Sequence, residues 1–479
     1  MRYATKLTNN TNHLGNQLIK MKIIIYSFLM CLTCLLTYKK NIPTFNTLKT
    51  IIVTSKLHMG WNSWDCFGTS VIENEVKSNA NYIAKDLKEY GLEYVVDDID
   101  CYGLNLSAHN TRATYYKNPK PHHLINEFGF VITAANKYPS CKNGNFKPLA
   151  NWLSAKSLKF GFQIKRGIPW EAVKKNTLIK GTTYHAYDIV KLENSCDWYD
   201  GTYDLVDGKL EIQELYYSIY KQFATWGVDF VKVDDISLLY NAKDIEAVRK
   251  EIDLSSSSIV LILYPGSAPY LARNHLQKYA NMFLMSVGFW DTWQQLKNQF
   301  ALYIRWSLNQ KLNQRADFDM LSLGKLSIMA EIGYPRQTNL TKPEQITIMT
   351  LWSIFNSLLL LSGNLPDNHN WTNSLITNEE VLAVNQLCKP PKLITAKSLL
   401  TVEEKTAYNS RQVLSADDKS KYVAFFNLTD SAQKISVGFN QLMLSSSFTF
   451  RNLWAKKIWA CLQKNLNRLF NRMEQECLV

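Results

Sequence analysis

Carboxylates gather at the ends of apolar runs in this sequence. Residues 94–100 read YVVDDID, residues 228–235 read VDFVKVDD, and residues 317–321 read DFDML. A carboxyl group at the mouth of a fold can take or give a proton or attack an electrophile, with burial and nearby charges setting its protonation. The plain alternative is that Asp234 and Asp235 only cap a helix after the strand. Other chemistries find less support. The nine cysteines are irregularly spaced, which argues against zinc and against a dense disulfide scaffold. One or two disulfides are compatible with an oxidising compartment. Lys and Arg outnumber Asp and Glu 54 to 41, a net charge of +13, yet no basic stripe or nucleic-acid motif appears. The charge reads as a Lys-rich surface, and no nucleic-acid partner is expected.

The elements that must position these carboxylates alternate along the chain. Residues 145–158 have helical spacing and are followed by a strand at 159–165. Residues 212–227 read as a helix closed by Gly227, ahead of the apolar run at 228–235. A helix at 242–252 precedes a strand at 258–266, and residues 342–363 read as one long apolar helix. Such repetition implies parallel strands with helical crossovers. The length of 479 residues and the carboxylates at several strand ends favour a (β/α)₈ TIM barrel over a doubly wound sheet. The barrel is placed at 50–390. After Pro390 and Pro391, short alternating stretches at 393–455 predict a small C-terminal antiparallel β-sandwich domain, and residues 456–479 read as a helical, basic tail. Residues 21–37, MKIIIYSFLMCLTCLLT, form a signal-peptide core, with an uncleaved membrane anchor as the alternative. Residues 1–20 precede Met21, a plausible true start. Secretion is the expectation, with the membrane as a partner only if 21–37 stays uncleaved.

The motifs MGWNSWDCFG (59–68), LKFGFQIKRGIP (158–169), WGVDFVKVDD (226–235), FWDTW (289–293), DFDML and EQITIMTLWSIFNSLLLLSGNLPDN (344–368) occur in this order. Together they resemble the melibiase-type α-galactosidases, which include α-N-acetylgalactosaminidases. The resemblance runs over roughly 55–390, and more weakly to about 455. It implies a retaining glycoside hydrolase with two carboxyl groups about 5–5.5 Å apart. It implies an α-galactoside oligosaccharide or glycoconjugate as substrate and requires no metal or organic cofactor. A homo-oligomer is compatible with it. Residue by residue, it makes Asp234 the nucleophile and Lys232 the charge partner that keeps it ionised. Trp64 becomes the aromatic shaping the sugar pocket, with a core Trp as the alternative. Asp98 becomes the acceptor of sugar hydroxyl protons, although Asp97 and Asp100 leave the register open. Arg166 and Asp319 match charged positions at the pocket that can equally be structural ion-pair members.

The pattern breaks at the second carboxyl group. Counting back from Asp291-Thr292-Trp293, the general acid position holds Gly288 and its arginine partner's position holds Leu284. Val287 stands where many relatives have a further Asp. Asp291 itself is a candidate substitute, one helical turn away if that segment is helical. Gln163 stands where an aromatic or His is usual, and Leu263 and Tyr264 lie where the family selects its sugar. Two functions follow: a secreted hydrolase, or an impaired relative that binds α-galactosides or serves as a carbohydrate-interaction protein.

Overall fold

The computed structural model describes residues 57–104, 122–195, 201–206, 208–237, 239–255, 258–264, 266–307, 315–330 and 332–386. In the C-terminal region it describes 407–410, 422–428, 433–438, 448–462, 465–470 and 475–478. The expected segments at 1–20 and 21–37 lie outside the described residues.

Eight parallel strands carry the architecture: β1 (Met59–Asn62), β2 (Tyr94–Asp97), β3 (Lys159–Lys165), β4 (Phe230–Asp234), β5 (Val260–Leu263), β6 (Met282–Leu284), β7 (Arg315–Asp317) and β8 (Leu359–Leu361). They pair in the order β7-β6-β5-β4-β3-β2-β1-β8. A parallel bridge between Leu321 and Leu361, with the Leu321 N–H donating to Leu360 O at 2.8 Å, joins the two edges. The sheet therefore closes into the expected (β/α)₈ barrel, which leaves its backbone groups paired all round.

Helices follow each strand: α1 (Glu73–Tyr82), α2 (Lys147–Ser154), α3 (Leu210–Trp226), α4 (Ala242–Leu254), α5 (Arg273–Tyr279), α6 (Trp293–Ser307), α7 (Lys342–Phe355) and, after a short turn of helix, α8 (Glu379–Gln386). Gly227 ends α3 at φ +79°, a left-handed stop that glycine takes without a Cβ clash. The long apolar segment 342–363 is not one helix. α7 opens with Thr341 N–H donating to Glu344 Oε2 at 2.7 Å and stops at Asn356, φ +58°. The leucines beyond it form β8. A short buried apolar run carries no period by which sequence could separate strand from helix.

Strand pleating sorts the side chains. Along β4, Phe230 belongs to the barrel's inner cluster with Tyr94, Val96, Ile262 and Leu360, whereas Val231 and Val233 pack outward against the helical shell. After β3 the chain detours through a small antiparallel sheet of Ile168–Pro169, Val190–Ser195 and Thr202–Leu205.

The C-terminal region is antiparallel, as expected, but longer. Its strands are β9 (Ala407–Ser410), β10 (Val423–Phe426), β11 (Gln433–Gly438), β12 (Phe448–Asn452), β13 (Lys457–Leu462), β14 (Asn465–Phe470) and β15 (Gln475–Leu478). They form a five-stranded sheet, β9-β10-β15-β12-β13, and a two-stranded one, β11-β14. The expected helical tail is thus three strands. β13 folds back on its neighbour β12 as a hairpin, whereas β15 pairs with β10 and β14 with β11 at longer sequence range, so tertiary pairing overrides local helical spacing. This region is seated on the barrel. Arg451 makes a two-point bond to Glu380 at 2.8 and 2.7 Å, and Trp454 Nε1 donates to Thr350 Oγ1 at 2.9 Å. Phe426 packs on Phe300 with ring centroids 5.0 Å apart.

Candidate functional site

A cavity of about 300 Å³ opens at the C-terminal ends of the barrel strands. This is the end where the strands of such a barrel present chemistry. Trp64, Asp98, Lys232, Asp234 and Asp319 all line it, so five of the seven residues expected from sequence converge.

Inward-facing positions of neighbouring strands build it. Lys232 and Asp234 alternate with outward Val231 and Val233 on β4. Lys232 Nζ donates to Asp98 Oδ2 at 2.9 Å and lies 4.1 Å from the Tyr264 ring centroid. Burial works to deprotonate Lys232, but Asp98, Asp319 and Asp234 outweigh it and hold the ammonium above its ordinary value. Asp234 is 3% exposed. Its Oδ1 accepts the Asp235 N–H at 2.6 Å, and its Oδ2 accepts from the Gln163 side-chain amide. Burial pushes Asp234 up to about 8 against the pull of Lys232, with Asp98 adding to the rise.

The pleat settles the register of the three acids after β2. Asp98 faces the pocket, where Asn62 Nδ2 also donates to its Oδ2 at 2.9 Å. Asp97 takes the Tyr138 hydroxyl as donor, and burial raises it to about 8. Asp100, in a left-handed turn at φ +76°, lies 3.7 Å from His123 and 3.8 Å from Lys137. Neither Asp97 nor Asp100 lines the cavity. Asn62 also accepts the Trp64 N–H at 2.9 Å, so one amide positions both the aromatic and the carboxylate.

Two expected site residues lie elsewhere. Arg166 does not line the cavity. It pairs with Asp204 at 2.8 Å, Asp235 at 3.4 Å and Asp244 at 3.7 Å, because it follows β3 on the face opposite the pocket. Asp291 is 1% exposed and also outside the cavity. Arg336 grips it through Nη2 to Oδ1 at 2.5 Å and Nε to Oδ2 at 3.3 Å, and Asn339 N–H donates to it at 2.7 Å. With both oxygens engaged by these donors outside the cavity, Asp291 is not placed to act on a sugar there.

The wall where a second carboxyl group is expected consists of Leu284, Val287, Gly288 and Phe289. Gly288 sits at φ +108°, and a Cβ there would come within 3.8 Å of Asp319 Oδ2. Asp319 accepts the Phe289 N–H on Oδ2 and the Met320 N–H on Oδ1, each at 2.8 Å. Burial raises it to about 6 although Lys232 lowers it.

Sequence reading gave Asn62 no role, marked Gln163 only as a departure from the family pattern, and placed Leu263 and Tyr264 at the sugar-selecting position. Gln163 faces the pocket as the inward residue of β3, and period-two alternation from Lys165 carried that signal. Tyr264 lines the cavity and donates to Asp317 Oδ2 at 2.5 Å, while Leu263 is packed outward. Among the described residues no cluster of His, Cys, Asp and Glu could hold a metal ion, and no helix is long and apolar enough to cross a membrane. Cys66, Cys101 and Cys141 are buried free thiols.

With this geometry in place, comparison with known proteins is informative. A family model described as alpha galactosidase A matches residues 180–387, and one for the alpha galactosidase C-terminal beta sandwich domain matches 410–468. Alpha-galactosidase 2 of Arabidopsis thaliana is 22% identical over 426 residues, covering 86% of each chain. The crystal structure of a GH27 β-L-arabinopyranosidase from Geobacillus stearothermophilus is 37% identical with a TM-score of 0.84, covering 90% of this chain and 98% of that one. A Bacillus halodurans structure, provisionally described as an α-N-acetylgalactosaminidase, is 33% identical with a TM-score of 0.76, covering 88% and 96%. The pocket at the strand ends thus belongs to a barrel and sandwich shared over nearly the full length of these proteins, and the chain is a member of the melibiase family of glycoside hydrolases, GH27.

Proposed function

We propose that the protein is a retaining glycosidase that takes one terminal sugar in the cavity, with Asp234 as nucleophile on the anomeric carbon. The observation that carries this reading is the Asp234–Lys232–Asp98 arrangement. A buried carboxylate stands at a strand end beside an ammonium that is itself tied to a second carboxylate. In this reading Asp98 accepts hydroxyl protons from the sugar, Lys232 opposes protonation of Asp234, and Trp64 covers the apolar face of the ring. Asp319 contributes a further acceptor. The sugar is a terminal α-linked galactose, in keeping with the α-galactosidases among the relatives. The Geobacillus relative, at 37% identity, favours a second reading, a β-L-arabinopyranoside, which has the galactose ring and anomeric geometry without the exocyclic carbon. Export directed by residues 21–37 is part of the proposal.

The test compares nitrophenyl α-galactoside with nitrophenyl β-L-arabinopyranoside on the full chain, beside Asp234→Asn. Turnover of either that vanishes in the variant supports the reading, and the faster substrate names the sugar. Labelling by a 2-deoxy-2-fluoro glycosyl fluoride should place the adduct on Asp234. Sugar binding with neither turnover nor adduct would instead make the protein a carbohydrate-binding relative.

A further inference from the structure

The two sides of the cavity offer different chemistry. On one stand Asp234, Lys232 and Asp98. On the other, Gly288 and Leu284 carry no carboxyl group; Asp65, which also lines the cavity, is held on Oδ2 by the Ser322 and Ser362 hydroxyls, and Asp291, which lines the adjoining cleft, is locked to Arg336 and Asn339. Asp319 is within reach of the empty position, but both of its oxygens already accept backbone N–H bonds. Beyond Gly288 the cavity wall continues into a second, larger cleft of about 600 Å³. Val287, Gly288, Trp290 and Ile332 line both spaces, and Tyr334 joins them in the cleft beside the polar Asp291–Arg336 pair, Thr292, Gln295 and Asn339. Val287 is 72% and Tyr334 69% exposed, so the cleft presents uncovered apolar and aromatic surface next to the sugar site. Solvent-exposed groups of this kind suit a flat ring.

Resting on the reading of Asp234 as nucleophile, we propose that the substrate class is aryl glycosides, whose phenolic leaving group sits in this cleft and departs without protonation. The electron accounting is direct. An Asp234 carboxylate oxygen attacks the anomeric carbon, the bond from that carbon to the aryl oxygen breaks, and its electron pair leaves as phenolate. A phenol holds its proton only to about pH 10 and so yields a stable anion far more readily than a sugar hydroxyl does. Water then attacks the same carbon, the bond to Asp234 breaks with its electron pair returning to the carboxylate, and the water's proton passes to solvent base. That second step has no internal base, so the glycosyl–enzyme accumulates. A nucleophile with no proton to lose, such as azide, bypasses the deficit.

The experiment uses the full-length protein with a series of aryl α-galactosides of graded phenol acidity, plus methyl α-galactoside. A positioned acid supplies about 10²–10⁴-fold, and its absence falls hardest on the poorest leaving group. We expect kcat/KM to fall by at least about that factor from the most acidic phenol to the methyl glycoside. We also expect a burst of phenolate equal to the protein present, and azide should then speed turnover, giving a glycosyl azide of retained anomeric configuration. Methyl galactoside cleaved within tenfold of the nitrophenyl compound, with no azide effect, would overturn the proposal. Loss of that cleavage in Asp319→Asn or Asp65→Asn would then identify the donor. The 2-fluoro label separates the two readings: a label on Asp234 with a flat leaving-group dependence removes only the aryl proposal, whereas no label removes the nucleophile assignment as well.

Discussion

The ends of β4 and β6, two strands apart in the barrel, open onto one cavity and are built in opposite ways. At β4, Asp234 is gripped by the Gln163 amide and the Asp235 N–H, and Lys232 spans to Asp98. At β6, the side chains are aliphatic or absent: Leu284, Val287 and Gly288. The β4 arrangement depends on strand-interior positions on three neighbouring strands, so pleat and barrel closure hold it. The β6 wall depends on a loop beyond the strand. The β4 arrangement can therefore stand whatever occupies the β6 wall, because none of the bonds named at β4 involves Leu284, Val287 or Gly288.

The harshest test of this contrast is Asp234→Asn, which should lower aryl-glycoside turnover by roughly 10⁴–10⁶-fold, the range seen when a nucleophile or its partner is removed. A loss below tenfold in steady-state assays would show that β4 does not carry the chemistry. Next, Lys232→Met should reduce turnover by about 10²–10³-fold, as for loss of a preorganised charge partner. It should also move the pH midpoint of activity upward, because the ammonium lowers Asp234. An unmoved midpoint in the pH profile would reduce Lys232 to packing.

On the β6 side, Gly288→Asp should raise the rate on methyl α-galactoside by less than the about 10²–10⁴-fold of a well-placed acid. The backbone at φ +108° resists a side chain, at a cost of about 1–3 kcal/mol seen as a lower Tm. A gain at the top of that range would show that the loop is already shaped for an acid. Asp291→Asn should act on stability rather than chemistry. It breaks a buried ion pair, with a loss of about 3 kcal/mol in denaturant unfolding, while turnover per folded molecule falls by less than tenfold. A larger kinetic than stability effect would return Asp291 to the site.

The smallest effect is on the pH dependence of stability. Burial raises Asp65 and Glu171 to about 7, Asp97 and Asp234 to about 8, and Asp319 to about 6, all well above the about 4 of unfolded carboxyls. The folded state thus keeps protons that the unfolded state has lost, and stability should fall as pH rises from about 4 to about 8. His123, lowered by burial to about 3, acts oppositely and destabilises the fold as pH falls below about 6.5. Tm should therefore peak in weak acid, while aryl cleavage should climb towards pH 8 as Asp234 ionises. A flat Tm between pH 5 and 8 would show these carboxyls to be charged in the fold.

Much of this was legible before any coordinates. Alternating helical and apolar segments with carboxylates at their ends specify a parallel barrel, and the strand at 159–165 matches its prediction residue for residue. Three acids in four residues after β2 defeated reading by eye, since a one-residue slip turns each side chain to the other face. Asp291 was misplaced because its partner, Arg336, lies 45 residues away with no local signature. The last two strands, β14 and β15, were hidden for the same reason, their pairing partners being remote in sequence.

The φ of Gly288 bears on how readily this wall of the cavity could take up a carboxyl group. A codon change alone can put a carboxyl group at that position, but the chain there has settled into a turn that L-amino acids avoid. Leu284 beside it is sealed into the barrel's inner cluster with Met282 and Met320. A carboxyl group at 288 with an arginine at 284 would have to re-bend the loop and re-open that packing together. Turn and core thus hold this wall apolar by two linked means, and neither can be exchanged without disturbing what the other supports.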